Sequence, residues 1–207
     1  MPLHAPEPTA GESDVVRRAV YTFAENRRFS TEGLRGARAD ALTVTDPHQV
    51  FNLQLDDLRS GAGLTAAKPT GWRYLVRDGD RVVAAAESVS DPAGGGPVFS
   101  GFNEGPFVPA TAGALAVSGS DRRVVDRRFT PRLLHIPALH AMALWLHPED
   151  AGDNAGRAGD DDDLLVPLAP FPLDVPTGVP TPATPLLRRL AELAATIPDD
   201  PYGRQGG

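Results

Sequence analysis

The sequence predicts an α+β fold: a mainly antiparallel sheet of about four to six strands covered by helices on one face, with a Pro-rich C-terminal strap and a terminal amphipathic helix. Three observations predict it. Two β-rich runs flank Asp78-Gly79. The longest apolar run of the chain, from Pro131 to His147, demands a core. Helical patterns open on capping residues on either side of these strands. The expected organisation is an arm without fixed structure over 1–12, one α+β domain over 13–169, a Pro-rich linker over 170–184, a helix over 185–196 and a tail over 197–207.

The central run is PRLLHIPALHAMALWLH. Eleven of the residues from Leu133 to Leu146 are apolar and none is charged. A membrane span needs about 20 such residues, so this run belongs in a water-soluble core. Both alternating faces are apolar from Ala138 to Leu146, which suits a strand covered on both sides and equally a buried helix. Ala, Leu and Met favour helix. Pro137 and Pro148 leave only a short segment, and Pro in a sheet sits at a strand start or bulge, so a strand bent at Pro137 is expected.

In chain order, residues 1–12 are Pro-rich and poor in large apolar side chains, as disordered segments are. Ser13 or Asp14 is placed to cap a helix running to Arg27, with Val16, Val20 and Ala24 on its apolar face. The segment up to Thr45 carries no assignable pattern. Asp46-Pro47-His48-Gln49 reads as a helix start, with Asp at the N-cap, Pro at N1, and Gly61 closing the helix. Phe51, Leu53 and Leu55 also alternate as in a strand; the capping pattern favours helix. Asp78-Gly79 reads as a two-residue hairpin turn pairing Leu75 with Val82 and Tyr74 with Val83. Trp72 and Tyr74 then lie over Val83 and Ala85, leaving room for a helix.

DPAGGGP at 91–97 is a connection, 98–102 a short strand, 107–118 a short helix, and 121–130 a strand leading into the central run. Seven acidic residues lie between Glu149 and Asp163, at the tip of a loop before Leu164 to Leu168, which should pair antiparallel with Leu144 to Leu146. Seven prolines between Pro167 and Pro185 make an extended strap. Thr184 and Pro185 then start a helix whose leucines form one stripe. A helix of about three turns is marginal alone in water, so it must dock.

Composition narrows the function. The chain has 207 residues, no cysteine and a net charge of −7. Disulfides and thiolate metal sites are excluded. The acidic balance argues against nucleic acid, and the N-terminus resembles no signal peptide, so cytoplasm is the expected compartment, with no membrane partner. Lys68 is the only lysine, and the arginine bias reads as that of a GC-rich genome. The Arg pairs are expected on solvated faces.

Chemistry-bearing residues are few. His135, His140 and His147 share the central run, but neither strand nor helix spacing gives a compact zinc set, so no metal and no cofactor are expected. Glu87 and Glu104 are lone carboxylates, and no nucleophile elbow, phosphate loop or zinc-protease motif is present. The first functional expectation is therefore a non-catalytic adaptor or structural subunit. Its C-terminal helix docks through Leu186, Leu187, Leu190 and Leu193 onto a protein partner or a second copy. The alternative is a small-ligand binder or enzyme with a pocket between a curved sheet and its helices, near Trp72, Tyr74, His135 or His140. A hard cation at the acidic loop, 149–163, is a third expectation, although the Asp spacing matches no calcium loop.

Overall fold

The structure, a computed structural model, describes residues 3–4, 7–8, 11–26, 29, 32–35, 37–90, 94–149 and 162–198. Its centre is one eight-stranded mixed sheet. In chain order the elements are α1 (Glu12–Glu25), β1 (Leu42–Asn52), α2 (Leu55–Arg59), β2 (Lys68–Asp78), β3 (Arg81–Ser90), β4 (Pro97–Asn103), α3 (Phe107–Ser118), α4 (Arg122–Val125), β5 (Phe129–Ile136), β6 (Ala141–Pro148), β7 (Leu164–Pro167), β8 (Thr181–Pro182) and α5 (Ala183–Ala195). The strand order is β4-β3-β2-β1-β5-β6-β7-β8. Every neighbouring pair is antiparallel except β1 and β5, which run parallel at the middle.

The central run is strand, as Pro137 suggested, but it is two strands rather than one bent strand. The chain reverses through a short 3-10 turn at Pro137–Leu139, and His140 takes a left-handed φ of 49°. Leu133 then pairs with Leu144 and His135 with Met142. Both faces of this hairpin are buried, which explains why no alternation shows in its sequence. The last apolar segment pairs as expected, Leu144 with Val166 and Leu146 with Leu164.

The reading of 46–61 as one helix is overturned. Asp46 and Pro47 lie inside β1, where a bulge interrupts the pairing between Thr45 and His48. Asp46 takes φ 51° there. Pro lacks the N–H that a ladder needs, so Asp-Pro in a strand produces a bulge. A helix follows only at α2. The hairpin between β2 and β3 stands, with its turn moved by one residue and its register by two at Arg77 and three beyond the bulge. Asp78 pairs with Arg81, so Gly79 and Asp80 make the turn, and Gly79 supplies the positive φ of 58°. With a bulge between Val76 and Arg77, Tyr74 pairs with Ala86 rather than Val83, and Trp72 with Ser88 rather than Ala85. The strand expected over 121–130 is instead α4, capped by Asp121, whose side chain accepts from the Arg123 N–H, and the start of β5.

Helices cover both faces of the sheet, where the sequence suggested one. On the first face α1 packs Val16, Val20 and Ala24 against Trp72, Tyr74, Val76, Ala84 and Ala86. It starts at Glu12 behind Gly11, which has φ 111°, rather than behind a Ser13 or Asp14 cap. On the same face α5 and α2 cover Phe51, Leu134, Ile136 and Trp145. On the opposite face α3 lies over Leu75 and Ala85 of one half and, with α4, over Leu133, Leu144 and Leu146 of the other. It thereby bridges the parallel seam. The eight strands exceed the expected four to six because β1 stands where a helix is expected, the central run makes two strands, and β8 lies within the expected linker.

The C-terminal segment is held along the molecule. Phe171, Leu173 and Val175, between β7 and β8, pack against the same core as α5. Arg59 donates to the Ala194 and Ile197 carbonyls at the end of α5, where a cation meets the helix dipole. No helix of the described residues is long and apolar enough to cross a membrane.

Candidate functional site

On the face carrying α3 lies an open cleft, and the bulge in β1 helps to build it. On β2, Arg73, Leu75 and Arg77 share that face, and α3 crosses over Leu75. Beyond the crossing, on the Arg77 side, lies a hollow of about 440 Å³ lined by Leu3, Asp46, Pro47, Arg77, Pro131, the α3 residues Ala112, Leu115 and Ala116, and Gly119 and Ser120 just beyond the helix. The volume lies within the range of small-ligand pockets, and its walls are mostly apolar.

Its polar end is one coupled group. Arg77 Nη2 pairs with Asp46 Oδ2 at 3.3 Å, and Arg77 Nε donates to Thr45 Oγ1 at 3.1 Å. Thr45 Oγ1 in turn donates to Asp46 Oδ2 at 2.7 Å, and Arg77 Nη1 reaches the Asp80 carbonyl at 3.3 Å. Both charged side chains remain about a third exposed. A non-glycine residue at positive φ is uncommon, and Asp is one of the types that adopts it. Such strained positions concentrate at functional sites.

His48 secures the bulge from below. It is fully buried, and its Nδ1–H donates to the Asp46 carbonyl at 2.8 Å. Burial drives its pKa down to about 4; the Arg73 charge adds to this, and the accepting carbonyl opposes it. The ring is therefore neutral near pH 7, and its Nε2 is buried without a partner among the described residues. Beside it, buried Arg73 is held by Glu87, with Nε to Oε1 at 2.6 Å, while its Nη1 lies 3.7 Å from Met142 Sδ. One guanidinium on β2 thus meets side chains from β3 and β6.

The residues singled out in the sequence fall in several places. Trp72 and Tyr74 belong to the α1 core on the other face. His135 is half-buried next to Met142, its pKa lowered first by desolvation and then by Arg73. His140 is exposed at the hairpin turn. None of these four lines the cleft. Glu87 is the partner of Arg73, and Glu104 accepts from the Gly33 N–H at 2.9 Å, so both lone carboxylates are bound within the fold. His147 Nδ1 and Trp145 Nε1 both donate to the buried Asp163, at 2.8 and 2.6 Å. Leu186, Leu187 and Leu190 are buried against the chain's own sheet, and Leu193 is partly buried there. Residues 150–161 of the acidic loop lie outside the described residues, and no group of three or more His, Asp or Glu able to hold a metal occurs among those described.

Sequence reasoning missed Arg77 and Thr45 and read Asp46 and Pro47 as a helix cap. The signal was present: β-branched Val44 and Thr45 before Asp-Pro, and alternating Phe51 and Leu53 after it, are the pattern of a bulged strand. Two other hollows, one at Tyr21 to Asp40 and one around Gly33, Arg81 and Glu104, adjoin residues 27–36, several of which lie outside those described. No protein-family model matches the chain, and neither a curated protein nor a solved structure gives a match.

Proposed function

We propose that this chain is a non-catalytic small-ligand-binding protein whose site is the cleft between α3 and the β1 bulge. The observation that carries the reading is the combination of apolar walls with a single ion pair at a left-handed residue, in a hollow of about 440 Å³. Apolar lining supplies affinity, and one fixed polar group supplies orientation. Binding rather than chemistry is favoured because Asp46 and Arg77 are engaged with each other. The test uses Nile red, a neutral apolar fluorophore. The full chain should bind one equivalent saturably, and Ala116→Phe, placed on the exposed side of α3, should abolish that binding with an unchanged melting temperature. Saturable binding that survives Ala116→Phe rejects the cleft as the site.

A second reading, protein–protein assembly, rests on the edge strand β4. Its seven residues, PVFSGFN, carry no charge. Among the described residues, no backbone hydrogen bond outside the sheet ladder involves 97–103. Edge strands of this kind accept an added strand from another chain. Assembly through the α5 leucines instead requires that helix to leave its own sheet. The mass in solution of the full chain and of the chain ending at Val179 separates the two routes: an oligomer lost on truncation supports α5, and one lost in Val98→Pro supports β4.

A further inference from the structure

We infer that the ligand taken by the α3 cleft is a cationic amphiphile, an apolar chain ending in an amine. This inference rests on the binding reading above and adds the charge of the head group. Asp46 and Arg77 cancel as a pair, so the sign of the site is set by the remaining groups around it. The cleft meets the C-terminal end of α3 at Ala116, Gly119 and Ser120. A helix C-terminus carries about half a negative charge.

The last-turn carbonyls of a helix have no intrahelical donors. Leu115 O accepts from the Gly119 N–H, Val117 O from the Ser120 and Asp121 N–H groups, and Ser118 O from the Asp121 N–H. The Ala116 carbonyl receives no such bond among the described residues. Ser120 Oγ donates its hydrogen to the Val117 carbonyl at 3.0 Å and therefore offers only lone pairs to the cleft. Asp46 accepts from Thr45 and Arg77 through Oδ2, leaving Oδ1 available.

The residues lining this end of the cleft therefore carry three acceptors: a carboxylate oxygen of Asp46, the Ala116 carbonyl and the Ser120 hydroxyl. Arg77 has three of its five N–H groups engaged in the contacts above, and among the described lining residues it is the one side chain with N–H groups left to donate. An ammonium brings three donors and a positive charge to this arrangement. A carboxylate head would face the helix end and Asp46 with like sign. Leu115, Pro47 and Pro131 line the same hollow and suit the apolar chain.

The test is competition against Nile red by three probes of equal chain length, n-octylamine, n-octanol and n-octanoate, at pH 7 and low salt. Octylamine should displace the dye at a concentration about tenfold lower than octanol, the size of one charge-assisted hydrogen bond, with octanoate the weakest. Asp46→Asn should bring octylamine and octanol within about threefold of each other. Asn also adopts positive φ, so the bulge survives this change. If octanoate competes as well as octylamine, or if Asp46→Asn leaves the preference intact, the amine assignment is wrong while the cleft still binds. If no dye binds at all, the binding reading falls with it.

Discussion

At the scale of single residues, His48 makes the clearest commitment. A buried neutral imidazole destabilises the fold when acid must charge it. Its pKa is depressed in the folded chain to about 4 from an ordinary 6.5, so between those values the unfolded chain binds more protons. Stability contributed by the neutral ring is then complete above about pH 6.5 and is lost as pH falls towards 4. The gap amounts to roughly 3 kcal/mol. His135 shifts in the same direction, its charged form disfavoured first by burial. Urea unfolding between pH 4 and 7 should show this slope in the parent chain. His48→Asn retains a donor for the Asp46 carbonyl without titrating, and it should flatten the slope while leaving His135's share. An unchanged slope would mean that His48 is accessible to protons in the fold. Gly71 is equally specific: a Cβ there would stand 2.0 Å from the Ser88 carbonyl oxygen of the neighbouring strand, so the β2/β3 ladder requires glycine at that point.

At the scale of elements, α5 shows how an amphipathic pattern is satisfied. Its stripe of Leu186, Leu187 and Leu190 was legible as a surface that must be covered, and the covering partner is the sheet of its own chain. Replacing Leu190 by Ala should cost about 2–5 kcal/mol, the usual range for a buried leucine, measured by urea unfolding. A cost below about 1 kcal/mol would indicate that α5 leaves the sheet readily, as docking elsewhere requires. The β1 bulge shows the opposite case. Asp46-Pro47 satisfies the local rules for opening a helix, yet the sheet on both sides claims the segment as a strand. Local capping signals contribute about 1 kcal/mol, and pairing with both β2 and β5 along the middle of the sheet outweighs them.

At the scale of the whole molecule, two antiparallel halves meet at the parallel β1/β5 seam. Each half has its own helix on one face, and α3 joins them on the other. The two tryptophans report the halves separately, Trp72 from the α1 core and Trp145 from the α5 core. If the continuous sheet and the bridging helix make one cooperative unit, Trp72→Phe and Trp145→Phe chains, each followed by the remaining tryptophan, should unfold together when each midpoint is compared with circular dichroism of the same chain. Fluorescence and circular dichroism midpoints that separate would show that the seam is a boundary between independently stable parts.

What the sequence by itself determined is everything that depends on neighbours close in the chain. The fold class, the α1 and α5 stripes, the short helix at 107–118, the Gly79 hairpin and the strand nature of the central run all follow from periodicity, glycine and proline. What only the tertiary structure decided depends on which segments meet. The parallel joining of β1 to β5, the placement of α3 on the second face, and the bulge that aims Asp46 at Arg77 arise from pairings between residues about 30 to 90 positions apart. The cleft belongs to this second kind. Its walls come from Leu3, β1, β2, α3 and β5, and no local pattern records that Leu3, Asp46, Arg77, Leu115 and Pro131 share one hollow. Burial is a property of the assembled sheet, and the chain shows only which side chains need it.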